Sequence, residues 1–269
     1  MSVFTAENKI RREARARLAQ AHWSVAVAVT VLFLCAAAFF FVAASFAVSF
    51  WPNAATAALA VVLALALLAM LPLQLGLARW CALAANGEEA SPMLLFTYYR
   101  GPAAWGRALA VTLRRMLWRL LWLVVCLLPG GALLGVAYQW PQAPFLQRQE
   151  VMQLCLIGGW VLVAAGAVAG IWMGLRYFAV SYLAATREEL SPQACIRLSR
   201  QVMKGHKGAA FRLLITYVLW VASCFFILPL LVVVPYMGVG TAVCAKWLTQ
   251  LWQNTRKESE ANRVDGGER

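Results

Sequence analysis

Four stretches of this chain carry no charged residue over a length that can cross a bilayer: Ser24–Phe50, Ala54–Ala78, Leu120–Gln139 and Val151–Leu175. A fifth, Leu213–Ala245, runs for 33 residues, too long for one ordinary crossing. It contains Pro229 and Pro235, so two helices joined near Pro235-Tyr236 are expected. Hydrocarbon offers no partner for backbone N–H and C=O groups, so such stretches fold as helices. The composition agrees: 62% of the residues are hydrophobic and 13% charged, about half the charge of a soluble domain.

The basic residues set the topology. Four groups hold 23 of the 24 Lys and Arg residues: the segment up to His22, then Arg79–Arg119, Arg176–Arg212 and Lys246–Arg269. Only Arg148 lies in an alternate loop. Positive residues accumulate on the cytoplasmic side, so this alternation predicts six membrane helices with both termini cytoplasmic. Their expected bounds are 24–50, 54–78, 118–139, 151–176, 212–232 and 235–252. The apolar run after His22 outlasts the h-region of a signal peptide, so a first membrane helix is expected rather than a cleaved leader. The net charge of +13 is accounted for by topology, so no nucleic-acid partner is expected.

One phrase occurs twice. LAANGEEASP covers Leu83–Pro92 and LAATREELSP covers Leu183–Pro192. The informative matches are Glu88/Glu188, Glu89/Glu189, Ser91/Ser191 and Pro92/Pro192. Each phrase follows an apolar run and precedes a basic segment and another apolar run, the mark of a duplicated unit. Helices two and three would then match helices four and five as parallel repeats. The expected fold is an all-α transmembrane bundle forming one membrane domain over 1–252, with a disordered cytoplasmic tail over 253–269.

Three segments read as amphipathic helices along the cytoplasmic membrane surface. In residues 1–22, Ile10, Ala14 and Leu18 form an apolar stripe at four-residue spacing, with Arg and Lys covering the rest. The other two start at the repeated phrase. Ser91 and Ser191 suit the N-cap and Pro92 and Pro192 the first helical position, while the Glu pairs favour the positive end of the helix dipole. Gly101-Pro102 is expected to break the first of these. In the second, Arg197, Arg200, Lys204 and Lys207 would fall within an arc of about 80° on a continuous helix.

Gly166, Gly170 and Gly174 recur every four residues in helix four, and Gly131 and Gly135 repeat the pattern weakly in helix three. Such positions let helices approach closely, here within the chain in preference to dimerisation. Trp23, Trp51, Trp80, Trp118, Trp122, Trp140, Trp247 and Trp252 lie near expected helix ends and read as an interfacial aromatic belt. The seven cysteines include no C-x-x-C, so reduced thiols are expected, without a disulfide framework or a metal site.

The segment Ser199-Arg200-Gln201-Val202-Met203-Lys204-Gly205-His206-Lys207, with Phe211, Trp220 and Pro235-Tyr236, resembles a bacterial integral membrane family known as domain of unknown function 975. The opening Ile10-Arg11-Arg12-Glu13-Ala14-Arg15 with Leu18 and Trp23, and the central Leu121-Trp122 with Pro129-Gly130, are similar to two further motifs of that family. Two features depart from it: the stretch 131–175 is longer, and Lys246-Trp247 replaces Phe-Tyr. The resemblance implies a multi-pass protein of a bacterial cytoplasmic membrane and supplies no catalytic residue.

No H-E-x-x-H, G-x-S-x-G or Walker loop is present, and of the two histidines, His22 and His206, the second lies among Lys204, Gly205 and Lys207 with no Cys or carboxylate near it in sequence. The Glu pairs could share a divalent cation if the phrases meet, but helix-start electrostatics is the favoured reading. A non-enzymatic protein without cofactor is therefore expected. Its candidate contact residues are Arg197, Arg200, Lys204, His206 and Lys207, facing anionic membrane lipid headgroups, a protein partner or a second copy of the chain. The alternative is a small-solute transporter or channel, with Gln74, Ser181, Tyr182, Thr216 and Tyr217 as its polar candidates.

Overall fold

The computed structural model describes residues 3–21, 23–139, 149–223 and 227–265. His22, Trp140, Arg148 and Cys224 lie outside them. The described residues are predominantly helical, with no strand among them. In chain order the α-helices are α1 (Val3–Gln20), α2 (Trp23–Phe50), α3 (Ala55–Asn86), α4 (Pro102–Gln139), α5 (Gln149–Gly174), α6 (Val180–Thr186), α7 (Pro192–Val202), α8 (Lys207–Ser223) and α9 (Ile227–Asp265). A 3-10 segment, Pro92–Tyr99, precedes α4, and a short one, Leu175–Tyr177, follows α5.

Five helical segments are long and apolar enough to cross a membrane: Trp23–Phe50, Ala55–Asn86, Pro102–Gln139, Glu150–Thr186 and Pro229–Glu260. The chain is therefore a multi-pass membrane protein. The helix expected over 212–232 is instead the 17-residue α8, about 26 Å long and at the lower bound for a crossing.

The expected break at Pro235 is absent. α9 runs through Pro235 without interruption, from Ile227 to Asp265. Proline in an apolar helix removes one hydrogen bond, and neighbouring helices can absorb that loss. Pro72 in α3 and Pro129 in α4 are accommodated in the same way. The tail expected to be disordered is also helical to Asp265. Arg256 Nε donates to Glu260 Oε1 at 2.8 Å, one turn on, and Ser259 bonds back to the Thr255 carbonyl at 2.7 Å. The segment TRKESEANRVD is polar but contains no Gly or Pro, so polarity alone was a poor guide to disorder there.

The chain divides into two compact units, with the boundaries after Leu113 and after Tyr177. In the larger unit α3 is the hub, touching α2, α6, α9, α1 and the 3-10 segment. Its buried face runs from Leu71 to Ala85. The α1 stripe is also buried: Ile10, Ala14 and Leu18 pack into protein, against α9, α3 and α8. The stripe was expected to face lipid. Its spacing was readable, but a helix at an interface and a helix on a protein core share that pattern.

The smaller unit, 114–177, is a hairpin of α4 and α5. Gly166 faces the Cys126 carbonyl so closely that an added Cβ would collide with it. A Cβ at Gly170 would lie 3.0 Å from Leu123 Cα, and one at Gly174 would lie 3.8 Å from Arg119 Cγ. The expected glycine stripe thus packs within the chain. Gly131 and Gly135, in contrast, face open space, and Gly130 is the α4 position in contact, its added Cβ lying 2.6 Å from Val163 N.

Candidate functional site

The two repeated phrases end their helices differently, and one residue decides how. In the first, Gly87 closes α3 with φ +82°, a left-handed conformation that a Cβ would strain. Gly87 N–H then donates to the Ala84 carbonyl and Glu88 N–H to the Leu83 carbonyl, at 3.0 and 3.1 Å, forming a Schellman cap. In the second, Arg187 replaces the glycine and stays at φ −125°. Its N–H reaches the Leu183 carbonyl at 2.9 Å. The Ala184 carbonyl, which corresponds to that of Ala84, is taken by a side chain instead. Arg107 Nη2, on α4, donates to the carbonyls of Ala184 (3.4 Å), Arg187 (3.0 Å) and Leu190 (3.2 Å). At the first phrase Lys246 Nζ makes a comparable contact with the Ala85 carbonyl at 3.4 Å. Cations at helix C-termini satisfy orphan carbonyls and oppose the negative dipole end.

Both serines cap the next element as expected. Ser91 accepts from Met93 N–H at 3.4 Å and Ser191 from Ala194 N–H at 3.3 Å, with Pro92 and Pro192 following. The element after Ser91 is a 3-10 helix, and the one after Ser191 is α7.

The four glutamates of the phrases have three different surroundings. Glu88 and Glu89 line a cavity of about 420 Å³ with Arg17, Gln20 and Ser91. Glu188 forms an ion pair with Arg79 of α3. Glu189 is exposed in the turn between α6 and α7, where its charge acts on the Cys195 thiol of α7. Glu89 and Glu189 match in sequence but not in role, because the Gly87 cap and the Arg187 turn lead the chain out of the two helices along different paths. No group of three or more His, Cys, Asp or Glu is placed to hold a metal ion among the described residues.

Trp80 departs from the aromatic belt. It is fully buried, and its Nε1 donates to the Ala90 carbonyl at 3.0 Å, tying α3 to the first phrase. Trp118 and Trp122 lie mid-way along α4 rather than at its end, beside the residue that follows α5: Arg119 donates to the Tyr177 carbonyl and Trp122 Nε1 to the Tyr177 hydroxyl, each at 3.2 Å.

The basic set is split between two elements. α7 buries Cys195, Ile196, Ser199 and Val202 and turns Arg197 and Arg200 outward. Leu198 packs on a cluster containing Leu183 and Ala245, which fixes the helix to α6 and α9. The helix stops at Val202; residues 203–206 form a turn with fully buried Met203 and with Gly205 at φ +85°. The arc expected for Arg197–Lys207 therefore does not form. Lys204 is exposed in the turn, half-buried His206 has Nδ1 3.1 Å from the Lys204 carbonyl, and half-buried Lys207 opens α8.

Three residues quoted for the family resemblance meet in the structure. The Arg15 guanidinium lies 5.9 Å from the centre of the Tyr236 ring, which packs on Trp220 at 6.1 Å and on Tyr217 at 5.8 Å. No local pattern in the sequence joins positions so far apart.

Fold and composition together define a helical, multi-pass membrane protein. No family model, no curated protein and no solved structure matches the chain. The resemblance to domain of unknown function 975 stands on the quoted residues alone.

Proposed function

We propose that this is a non-enzymatic protein of a bacterial cytoplasmic membrane that engages anionic lipid headgroups at the cytoplasmic face. Arg197, Arg200 and Lys204 make the contact, and His206 and Lys207 flank it. The observation that carries this reading is the division of α7: one side is buried against α6 and α9 while the other presents Arg197 and Arg200 to the surroundings. Near a membrane surface each adds about 1 kcal/mol of attraction to anionic lipid. Both termini are assigned to the cytoplasm on the alternation of basic residues, an assignment that requires α8 to cross the membrane as a sixth helix beside the five longer ones.

Thermal unfolding in detergent tests the reading. Added phosphatidylglycerol should raise the midpoint of the unaltered protein more than phosphatidylcholine does, and Arg197/Arg200/Lys204→Gln should abolish the difference. Equal responses to the two lipids in the unaltered protein would exclude a headgroup site here.

Small-solute transport is a second reading, favoured by one feature: the proline inside each of α3, α4 and α9. Flux of small solutes into liposomes, with Gln74→Ala as comparison, separates the two.

A further inference from the structure

The segments after the two serines present opposite chemistries to their surroundings. On Pro92–Tyr99 the 3-10 geometry repeats about every three residues, so Leu95 and Tyr98 share one side and Met93, Phe96 and Tyr99 another. Leu95 and Tyr98 are buried, whereas Met93, Phe96 and Tyr99 are 68%, 43% and 41% exposed. On α7 the outward residues include Gln193, Arg197 and Arg200. One outward face is entirely apolar or aromatic, and the other is polar and cationic.

The segment also climbs along α3. The Leu95 carbonyl rests on Gly76, where any side chain would collide with it. Four residues on, the Tyr99 hydroxyl donates to the Ala69 carbonyl. Gly76 and Ala69 lie about 15 and 25 Å along the axis from the end of α3 at Asn86. Both belong to the charge-free run Ala54–Ala78. Beside Ala69, Leu67 and Leu68 of α3 are themselves exposed, so the outward face of the segment continues an apolar surface of a membrane-crossing helix.

We infer that Met93, Phe96 and Tyr99 are a wedge that enters the bilayer and contacts the acyl chains of the leaflet on the basic side, while the matching face of α7 stays in the headgroup layer. Phe96 and Tyr99, with ring centres 6.3 Å apart, form the broad part of the wedge. Arg100 follows at once and is exposed. Its long side chain reaches back to the headgroups and limits the depth of entry. The wedge itself rests on apolar exposure and on the position along α3; only the contrast with α7 rests on the headgroup reading proposed above.

Photolabelling tests it on the unaltered protein in vesicles containing a phospholipid with a diazirine in its acyl chain. Adducts should form on Met93, Phe96 or Tyr99, and several-fold fewer on Gln193, Arg197 and Arg200. A peptide covering 92–99 labelled no more than the peptide covering 192–202 would overturn the wedge. Single cysteines at the exposed positions 96 and 193, in a protein without its native cysteines and each carrying a fluorophore, give a second measurement. Brominated acyl chains should quench the label at 96, and aqueous iodide the label at 193. Iodide quenching both equally would overturn the inference as well.

Discussion

The Arg107 guanidinium donates to the Arg187 carbonyl at 3.0 Å and caps, from another helix, a turn that glycine caps in the first phrase. Hydrogen bonds with a charged partner contribute roughly 1.5–3 kcal/mol each. Arg107→Ala should therefore lower the unfolding midpoint by several degrees, and Arg107→Lys should recover only part of the loss, because the shorter lysine side chain does not reach the position of Nη2, from which all three bonds are made. Differential scanning fluorimetry checks this; equal midpoints for Arg107→Ala and the unaltered protein would remove the cap from the account.

Gly87 makes the converse case. At φ +82° an alanine costs about 1–2 kcal/mol for the left-handed backbone, and its Cβ meets the Arg17 guanidinium as well. Gly87→Ala should be destabilising in the same assay, whereas Gly101→Ala, with nothing within 4 Å, should change little.

The α4–α5 hairpin gives a paired test of packing. Gly166→Leu forces a side chain against the Cys126 carbonyl and should cost about 1–3 kcal/mol or more. Gly131→Leu places the same side chain in open space and should be close to neutral. Similar losses for the two substitutions would show that the hairpin does not pack through Gly166.

Cys195 reports on the seat of α7. It is fully buried, and burial pushes its thiol above the usual cysteine range; the Arg107 guanidinium pulls the other way, and the Glu189 carboxylate adds to the push. A raised value means less thiolate at any given pH, so alkylation should be slow at pH 8 and speed up as pH rises further. Mass spectrometry should find Cys195 unmodified by iodoacetamide in the folded protein and modified once it is unfolded. Rapid modification in the folded state would mean that α7 is not held by its buried face.

What the sequence made legible follows from the range of each signal. Charge-free length announced the membrane helices, and the serine–proline pairs announced the caps at 91 and 191, because both signals are local. The roles of Trp80 and Arg107 were not legible. Trp80 looked like an interfacial residue beside Arg79, and its bond to Ala90 depends on the Gly87 turn. Arg107 looked like one more positive-inside charge until the fold brought it to carbonyls 77–83 residues away. The separate fates of Glu188, paired with Arg79, and Glu189, left exposed, were hidden for the same reason: identical letters in the two phrases say nothing of the long-range partner. The end of α7 at Val202 was missed for a different reason. Gly205 was taken as part of a motif, and its positive φ makes it the turn residue that separates Lys204 and Lys207 from the helix.

Orientation has its own test. A single cysteine at Ser191 in a cysteine-free background should react with a membrane-impermeant reagent only from the cytoplasmic side, and one at Asn262 likewise. Labelling at position 262 from outside would contradict a chain with both termini in the cytoplasm.

The central claim concerns what the outward face of α7 holds. Native mass spectrometry of the protein extracted from membranes of mixed phosphatidylethanolamine and phosphatidylglycerol addresses it directly. The account predicts retained phosphatidylglycerol on the unaltered chain. At about 1 kcal/mol per cation, Arg197/Arg200/Lys204→Gln should weaken that retention by roughly 100-fold. Retention of phosphatidylglycerol by the triple variant at the level of the unaltered protein would contradict it.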